Sequence, residues 1–206
     1  MKRPSGLTLI EILVSITIVA ALASTALILI PIGMERSRRA VCAQNLADLG
    51  GAYQLWRMEQ PGGARHAGSA IFLAWRKERR IVRCGDEEKL LCPGDPTAFF
   101  PRTDVERARW DEVDLDAPDP ALCSYAVRDT TRHPLGGGMR RIVACDRQGR
   151  DGTQPHHDGG LNVVYDSGAV VFLTHAMLGV EDPESTLRVG PESEVAALRE
   201  VVDSAR

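Results

Sequence analysis

Residues 7–30 read LTLIEILVSITIVAALASTALILI, a run in which every position is apolar or small and hydroxylated except Glu11. At about 1.5 Å rise per residue, a helix of this length extends roughly 36 Å, enough to cross a bilayer. Lys2 and Arg3 ahead of it favour a cytoplasmic N-terminus. A secretory signal accounts for the run less well, because such signals have a shorter apolar core; Ala21-Leu22-Ala23 nonetheless imitates a signal cleavage site. Glu11 is the informative residue. A carboxylate inside an apolar span costs about 2.5–3.5 kcal/mol on insertion scales and calls for a partner. If the chain is cut after Gly6, a new amine appears on Leu7, and the same amine on a neighbouring subunit can neutralise Glu11. The plainer reading is a helix-end carboxylate that snorkels to the headgroups.

The stretch Gly6-Leu7-Thr8-Leu9-Ile10-Glu11 resembles the type III signal of type IV prepilins and type II secretion pseudopilins. The resemblance implies cleavage by a prepilin peptidase between Gly6 and Leu7, N-methylation of Leu7, and a role for Glu11 as the assembly carboxylate. The family's usual first residue is Phe, and Leu7 is a variant of it.

Beyond the apolar run, Pro31 and Gly33 are positioned to kink the helix near the membrane surface. Glu35-Arg36-Ser37-Arg38-Arg39 is a wet, charged stretch. Then Cys42, Leu46, Leu49, Tyr53 and Trp56 fall on one helical stripe, the face on which a soluble domain packs. The helix is expected to run from about 7 to 59 and stop before Pro61-Gly62-Gly63. The chain thus divides into a leader (1–6), a transmembrane helix (7–32), an amphipathic continuation (33–60), a globular domain (61–180) and an acidic C-terminal extension (181–206).

Within the globular part, 69–81 reads as a helix with Ile71, Phe72, Trp75 and Ile81 on its apolar side. Residues 82–124 are broken by Pro93, Pro96, Pro101, Pro118 and Pro120 and read as loops with short elements. Residues 140–145 form a strand, and 161–165 and 169–173 form a β-hairpin around Asp166-Ser167-Gly168. Residues 192–203 are expected to form a final helix with Val195, Leu198, Val201 and Val202 on one side. The fold class is α+β: a long N-terminal helix packed on a small antiparallel sheet, as in pilins.

A second resemblance covers this region. His157-Asp158-Gly159-Gly160-Leu161-Asn162-Val163-Val164-Tyr165, continuing through Asp166-Ser167-Gly168, is similar to the His-x9-Asp-Gly signature of a class of prepilin-like proteins. Cys42-Ala43-Gln44-Asn45-Leu46, Cys92-Pro93-Gly94-Asp95-Pro96 and Ser124-Tyr125 fit the same class. Its signature positions fall on His157, Gly160, Asn162, Ser167 and Gly168; Ser167 stands where the class has Asp.

Composition and the remaining motifs mainly exclude. A formal net charge of −3 provides no basic field for nucleic acid. Five cysteines, an odd number, leave at least one outside intrachain pairs. Cys84 and Cys92 are candidates for a local disulfide, although connectivity cannot be read from spacing, and free buried thiols are an equal alternative. No metal site is expected. His156, His157, Asp158, Asp166 and His175 include suitable ligand types, but adjacent histidines in an extended segment point to opposite sides. Asp95, Asp111, Asp114, Asp116 and Asp119 lack the spacing of a calcium loop and read as acidic surface. Gly136-Gly137-Gly138 lacks the Lys-Ser/Thr of a phosphate loop, and there is no nucleophile elbow or dinucleotide fingerprint. Arg76-Lys77-Glu78-Arg79-Arg80 reads as a solvated helix face.

These observations predict a structural subunit rather than an enzyme, without a cofactor. It would be trimmed by prepilin peptidase and polymerised through its N-terminal helix into a type IV pilus or a type II secretion pseudopilus. Its expected partners are other pilin or pseudopilin subunits, the peptidase and inner-membrane lipid, with no nucleic acid. It would cross the bacterial inner membrane once, with its soluble domain periplasmic or carried in a filament. The alternative is a membrane-anchored binding module that never polymerises.

Overall fold

The computed structural model describes residues 8–59, 66–78, 86–130, 132–133, 141–147, 156–182 and 187–202. The chain divides into two compact units, residues 1–37 and 38–206. The first helix, α1 (Leu9–Glu59), contributes to both and continues through Pro31. In the first unit its large apolar side chains, from Leu9 to Met34, are exposed. It is long and apolar enough to cross a membrane.

In the second unit, α1 presents the expected stripe. Cys42, Leu46, Leu49, Tyr53 and Trp56 are all buried. They meet Ile71, Phe72 and Trp75 of α2 (Ala70–Lys77). Tyr53, Trp56 and Trp75 stack as a tilted trio with ring centroids 5.6–5.9 Å apart. A short helix, α3 (Asp104–Arg107), begins with a Thr103/Glu106 capping box.

The sheet has five strands: β1 (Tyr125–Arg128), β2 (Ile142–Asp146), β3 (Gly160–Tyr165), β4 (Val170–Thr174) and β5 (Val201–Val202). Their order is β4-β3-β2-β1-β5, and every neighbouring pair is antiparallel. The β3–β4 hairpin forms as expected, with Leu161 opposite Leu173 and Val163 opposite Val171. The period-2 alternation of strands splits the side chains between two cores. Tyr125, Val127, Ala144 and Val164 face α1 and α2, whereas Ala126, Cys145 and Val163 face a second cluster with Leu187, Leu198 and Val201.

The structure departs from the sequence expectation in two places. The expected C-terminal helix over 192–203 is instead a 3-10 turn, Ala196–Leu198, followed by the edge strand β5. Val201 pairs with Arg128 and is buried, so the C-terminal segment covers the second face of the sheet. The apolar spacing is compatible with a helix, but two β-branched residues beside an open strand edge gain ladder hydrogen bonds as a strand. Residues 82–124 carry short elements among their loops, as expected: α3 and 3-10 turns at Glu87–Leu90, Ala108–Trp110 and Pro120–Leu122. Arg76 was expected on a solvated face and is buried. Its guanidinium holds Glu87, itself wholly buried, at 2.9 and 2.6 Å. Ile81, Arg79, Arg80 and Gly136–Gly138 lie outside the described residues.

The packing of α1 on β3 depends on a missing side chain. A Cβ at Gly50 would lie 2.5 Å from Val164 Cγ2, whereas one at Gly51 would meet nothing within 4 Å. Gly50→Ala is therefore expected to destabilise the domain by about 1–3 kcal/mol through overpacking. Gly51→Ala is expected to gain up to about 1 kcal/mol of helix propensity. Denaturant unfolding of the two full-length variants in mild detergent measures the difference in sign.

Candidate functional site

Four segments far apart in sequence converge under the N-terminal end of β3. The buried stripe of α1 brings in Cys42, the loop after the Glu87–Leu90 turn brings Cys92, the last residue of β2 is Asp146, and His157 precedes β3. All four are at most 2% exposed. Cys42 and Cys92 form a disulfide, with Cα atoms 5.2 Å apart across a sequence separation of 50. This overturns the local Cys84–Cys92 closure, because helix α1 places Cys42 against the loop that carries Cys92; Cys84 lies outside the described residues. A cross-link over so long a loop removes on the order of 4 kcal/mol of unfolded-chain entropy in the chain-entropy model.

Around the sulfurs, Cys42 Sγ is 3.2 Å from Asp146 Oδ1, and Cys92 Sγ is 3.3 Å from His157 Nε2. His157 Nε2 lies 3.7 Å from Asp146 Oδ2. The Asn162 backbone N–H and side-chain amide both donate to Asp146 Oδ2, at 2.7 and 2.9 Å, and fix the carboxylate's orientation. Tyr125 Oη stands 3.5 Å from Cys42 Sγ, and the Gly94 N–H donates to Cys92 Sγ at 3.3 Å. Burial pushes the Tyr125 phenol well above its ordinary value, with Asp146 adding to the effect. Gly94 is required by this closeness, since a Cβ there would lie 2.2 Å from His156 O and 2.9 Å from His157 Cε1.

His156 points elsewhere, as the alternation of an extended segment dictates. Its Nε2 is 3.4 Å from Asp95 Oδ2, and Arg147 Nη2 is 3.7 Å from the same oxygen. Thr97 donates its N–H and hydroxyl to Asp95 Oδ1 at 2.8 and 2.7 Å. Burial lowers the His156 imidazole to about 4 despite the pull of Asp95, so it is neutral at pH 7. Burial alone would raise the Asp95 carboxyl, but His156 and the Thr97 hydrogen bonds outweigh it and hold the group below its usual range.

The fragments quoted above for the second resemblance meet at this place: Cys42 and Asn45, Cys92 through Asp95, Ser124-Tyr125, His157 and Asn162. Gly160 begins β3, where a Cβ would lie 2.2 Å from Leu173 O. Ser167 and Gly168 do not join the cluster. They form the turn at the other end of the hairpin, where Ser167 is exposed and Gln54 donates to Asp166 O at 2.9 Å. The substitution of Ser for Asp at 167 therefore leaves the cluster untouched. The histidine–carboxylate group considered from sequence does not assemble as such: His157 meets the two cysteines and Asp146, and Asp158 is exposed. The acidic group is likewise dispersed, with Asp111 on Arg76 and Asp119 on Arg109.

In the first unit, Glu11 sits in the first turn of α1. The Thr8 backbone N–H and hydroxyl donate to Glu11 Oε2, both at 2.8 Å, and the Glu11 N–H donates back to Thr8 Oγ1 at 3.4 Å. This is a capping box. Its signature, Thr8-x-x-Glu11 ahead of an apolar run, is legible in the sequence, and gives Glu11 a role within its own chain besides the expected one between subunits. Gly6 and Leu7 lie outside the described residues.

A long N-terminal helix, apolar in its first half and packed on a five-stranded antiparallel sheet through its second, gives the chain a pilin-like α+β arrangement. Its residues 1–27 match the prokaryotic N-terminal methylation motif, which is characteristic of type IV pilins and pseudopilins. No curated protein and no solved structure matches the chain.

Proposed function

We propose that the protein is a membrane-anchored structural subunit that polymerises through its N-terminal helix into a type IV pilus or type II secretion pseudopilus. The observation that carries this reading is the methylation motif at residues 1–27 leading into an exposed apolar stretch of helix, residues 9–34, whose single carboxylate is Glu11. In this reading prepilin peptidase cuts between Gly6 and Leu7, Leu7 is N-methylated, and the helix stays in the inner membrane with the sheet domain on the periplasmic side until assembly. Helix association in lipid gains little from the hydrophobic effect, so packing and polar pairing must supply it. A carboxylate paired with a neighbouring subunit's N-terminal amine would contribute both affinity and register. Nothing in this role requires catalysis.

Intact mass and N-terminal sequencing of protein extracted from its native membrane test the processing step. The expected product begins at methylated Leu7. Retention of residues 1–6, or trimming near Ala23, would overturn the reading.

A further inference from the structure

We propose that Cys42, Cys92, Asp146 and His157 form a closed Zn2+ site in the reduced protein, with the Cys42–Cys92 disulfide as the oxidised, metal-free form of the same site. Each residue offers one ligand atom, and the four atoms lie within 4.8 Å of one another. Zinc–ligand bonds of about 2.0–2.3 Å place neighbouring ligands of a tetrahedron roughly 3.3–3.8 Å apart. Two edges already have about this length, Cys42 Sγ to Asp146 Oδ1 at 3.2 Å and Cys92 Sγ to His157 Nε2 at 3.3 Å, and the other carboxylate oxygen, Oδ2, lies 3.7 Å from His157 Nε2. The two sulfurs must separate from bonded distance to the spacing of two thiolates on one ion, within a group that already spans no more than 4.8 Å.

The chemistry of the surroundings agrees. A disulfide has no proton to give Asp146 Oδ1 or His157 Nε2, and it gains nothing from a buried carboxylate against it. Two thiolates, an imidazole and a carboxylate are a donor set that suits zinc, with soft, borderline and hard ligands in four-coordinate geometry. Outer partners are in place. Asn162 orients the carboxylate, and the Gly94 N–H and Tyr125 hydroxyl lie against the two sulfurs, where they would temper the extra negative charge of thiolates. With all four positions protein-supplied and buried, the site is structural rather than catalytic.

The exchange balances. A dithiol reductant takes the disulfide's place as the oxidised partner and leaves two thiols on the protein. Zn2+ then replaces the two thiol protons, which pass to solvent. The protein therefore carries either the S–S bond or the ion. Ligands so far apart in sequence lack the short paired spacing of zinc-finger motifs, which is why no motif announces the site.

The test uses the full-length chain in detergent, reduced anaerobically with a phosphine, given Zn2+ and desalted. Metal analysis and native mass spectrometry are expected to find one Zn2+ per chain, and under a tenth of that in the oxidised chain. Co2+ in place of Zn2+ is expected to give the intense visible bands of tetrahedral thiolate coordination. His157→Gln and Asp146→Asn are expected to lower zinc affinity at least about ten-fold, while Cys145→Ala leaves it unchanged. Circular dichroism accompanies each sample, because loss of the disulfide could itself unfold the domain. A reduced chain that unfolds and regains its fold only with Zn2+ supports the site. A folded reduced chain without zinc, an unfolded one that zinc does not restore, or zinc held equally well by the Cys42→Ala/Cys92→Ala double variant would overturn it. None of these outcomes depends on whether the protein polymerises.

Discussion

Glu11→Gln is expected to abolish filament assembly while leaving the protein in the membrane and correctly trimmed. The substitution separates two roles that the carboxylate can play. Glu11 closes a capping box with Thr8 within its own chain. Gln serves in that box as well as Glu does, because its side-chain carbonyl still accepts from the Thr8 N–H. Gln cannot, however, neutralise a partner's ammonium group inside a low-dielectric medium. If the cap were the whole purpose, Glu11→Gln would assemble normally and Glu11→Ala would lose only about 0.5–2 kcal/mol of helix-end stability. If pairing with a neighbour's freed amine drives assembly, both variants fail, and polar Gln gains only the easier burial of a neutral group. Filament yield in sheared fractions, with intact mass of the membrane-bound pool, reads the two apart. Normal filaments from Glu11→Gln would sink the charge-pairing account, and unaltered cellular function without filaments in the native protein would favour the tethered binding module.

Glu87→Ala is expected to destabilise the globular domain by about 3–5 kcal/mol, a large share of the total for a domain of this size. Glu87 is fully buried and holds two guanidinium groups: Arg76, at 2.9 and 2.6 Å, and Arg107, at 2.7 Å. Arg76 is only 1% exposed, so removing its carboxylate leaves a desolvated cation with the half-exposed Asp111 as its other charged partner. The cost comes less from the lost attraction than from the charge stranded inside. The network joins α2, the Glu87–Leu90 turn and α3, elements that few backbone hydrogen bonds connect. As a control, Lys89→Ala breaks a pair with Asp48 that is 43% and 41% exposed, and is expected to change stability by no more than about 1 kcal/mol. Because the Glu87 network is buried, its effect should persist in high salt, where the Lys89 pair is screened. Denaturant midpoints of the full-length variants at two ionic strengths check both statements, and a Glu87→Ala loss no larger than that of Lys89→Ala would refute the first.

Short-range patterns in the sequence were sufficient for the long helix and its buried stripe from Cys42 to Trp56, for the β3–β4 hairpin and for the methylation segment. Each rests on a period of 3.6, a period of 2 or a contiguous motif, information carried by neighbours in the chain. The fate of Val201-Val202 was not available from such patterns, because their spacing suits a helix and a strand alike. The open edge of β1 decided it. Arg76 looked like one of a run of surface charges until Glu87 and Asp111 were found against it. The Cys42–Cys92 pair and its setting of Asp146 and His157 depend on four segments whose meeting is set by how α1 lies on the sheet. That placement is a balance of packing at Gly50, Val164 and the aromatic trio, and no local run of residues encodes it. The apolar helix and the methylation motif are therefore written along the chain, whereas the buried cluster arose only when the chain closed on itself.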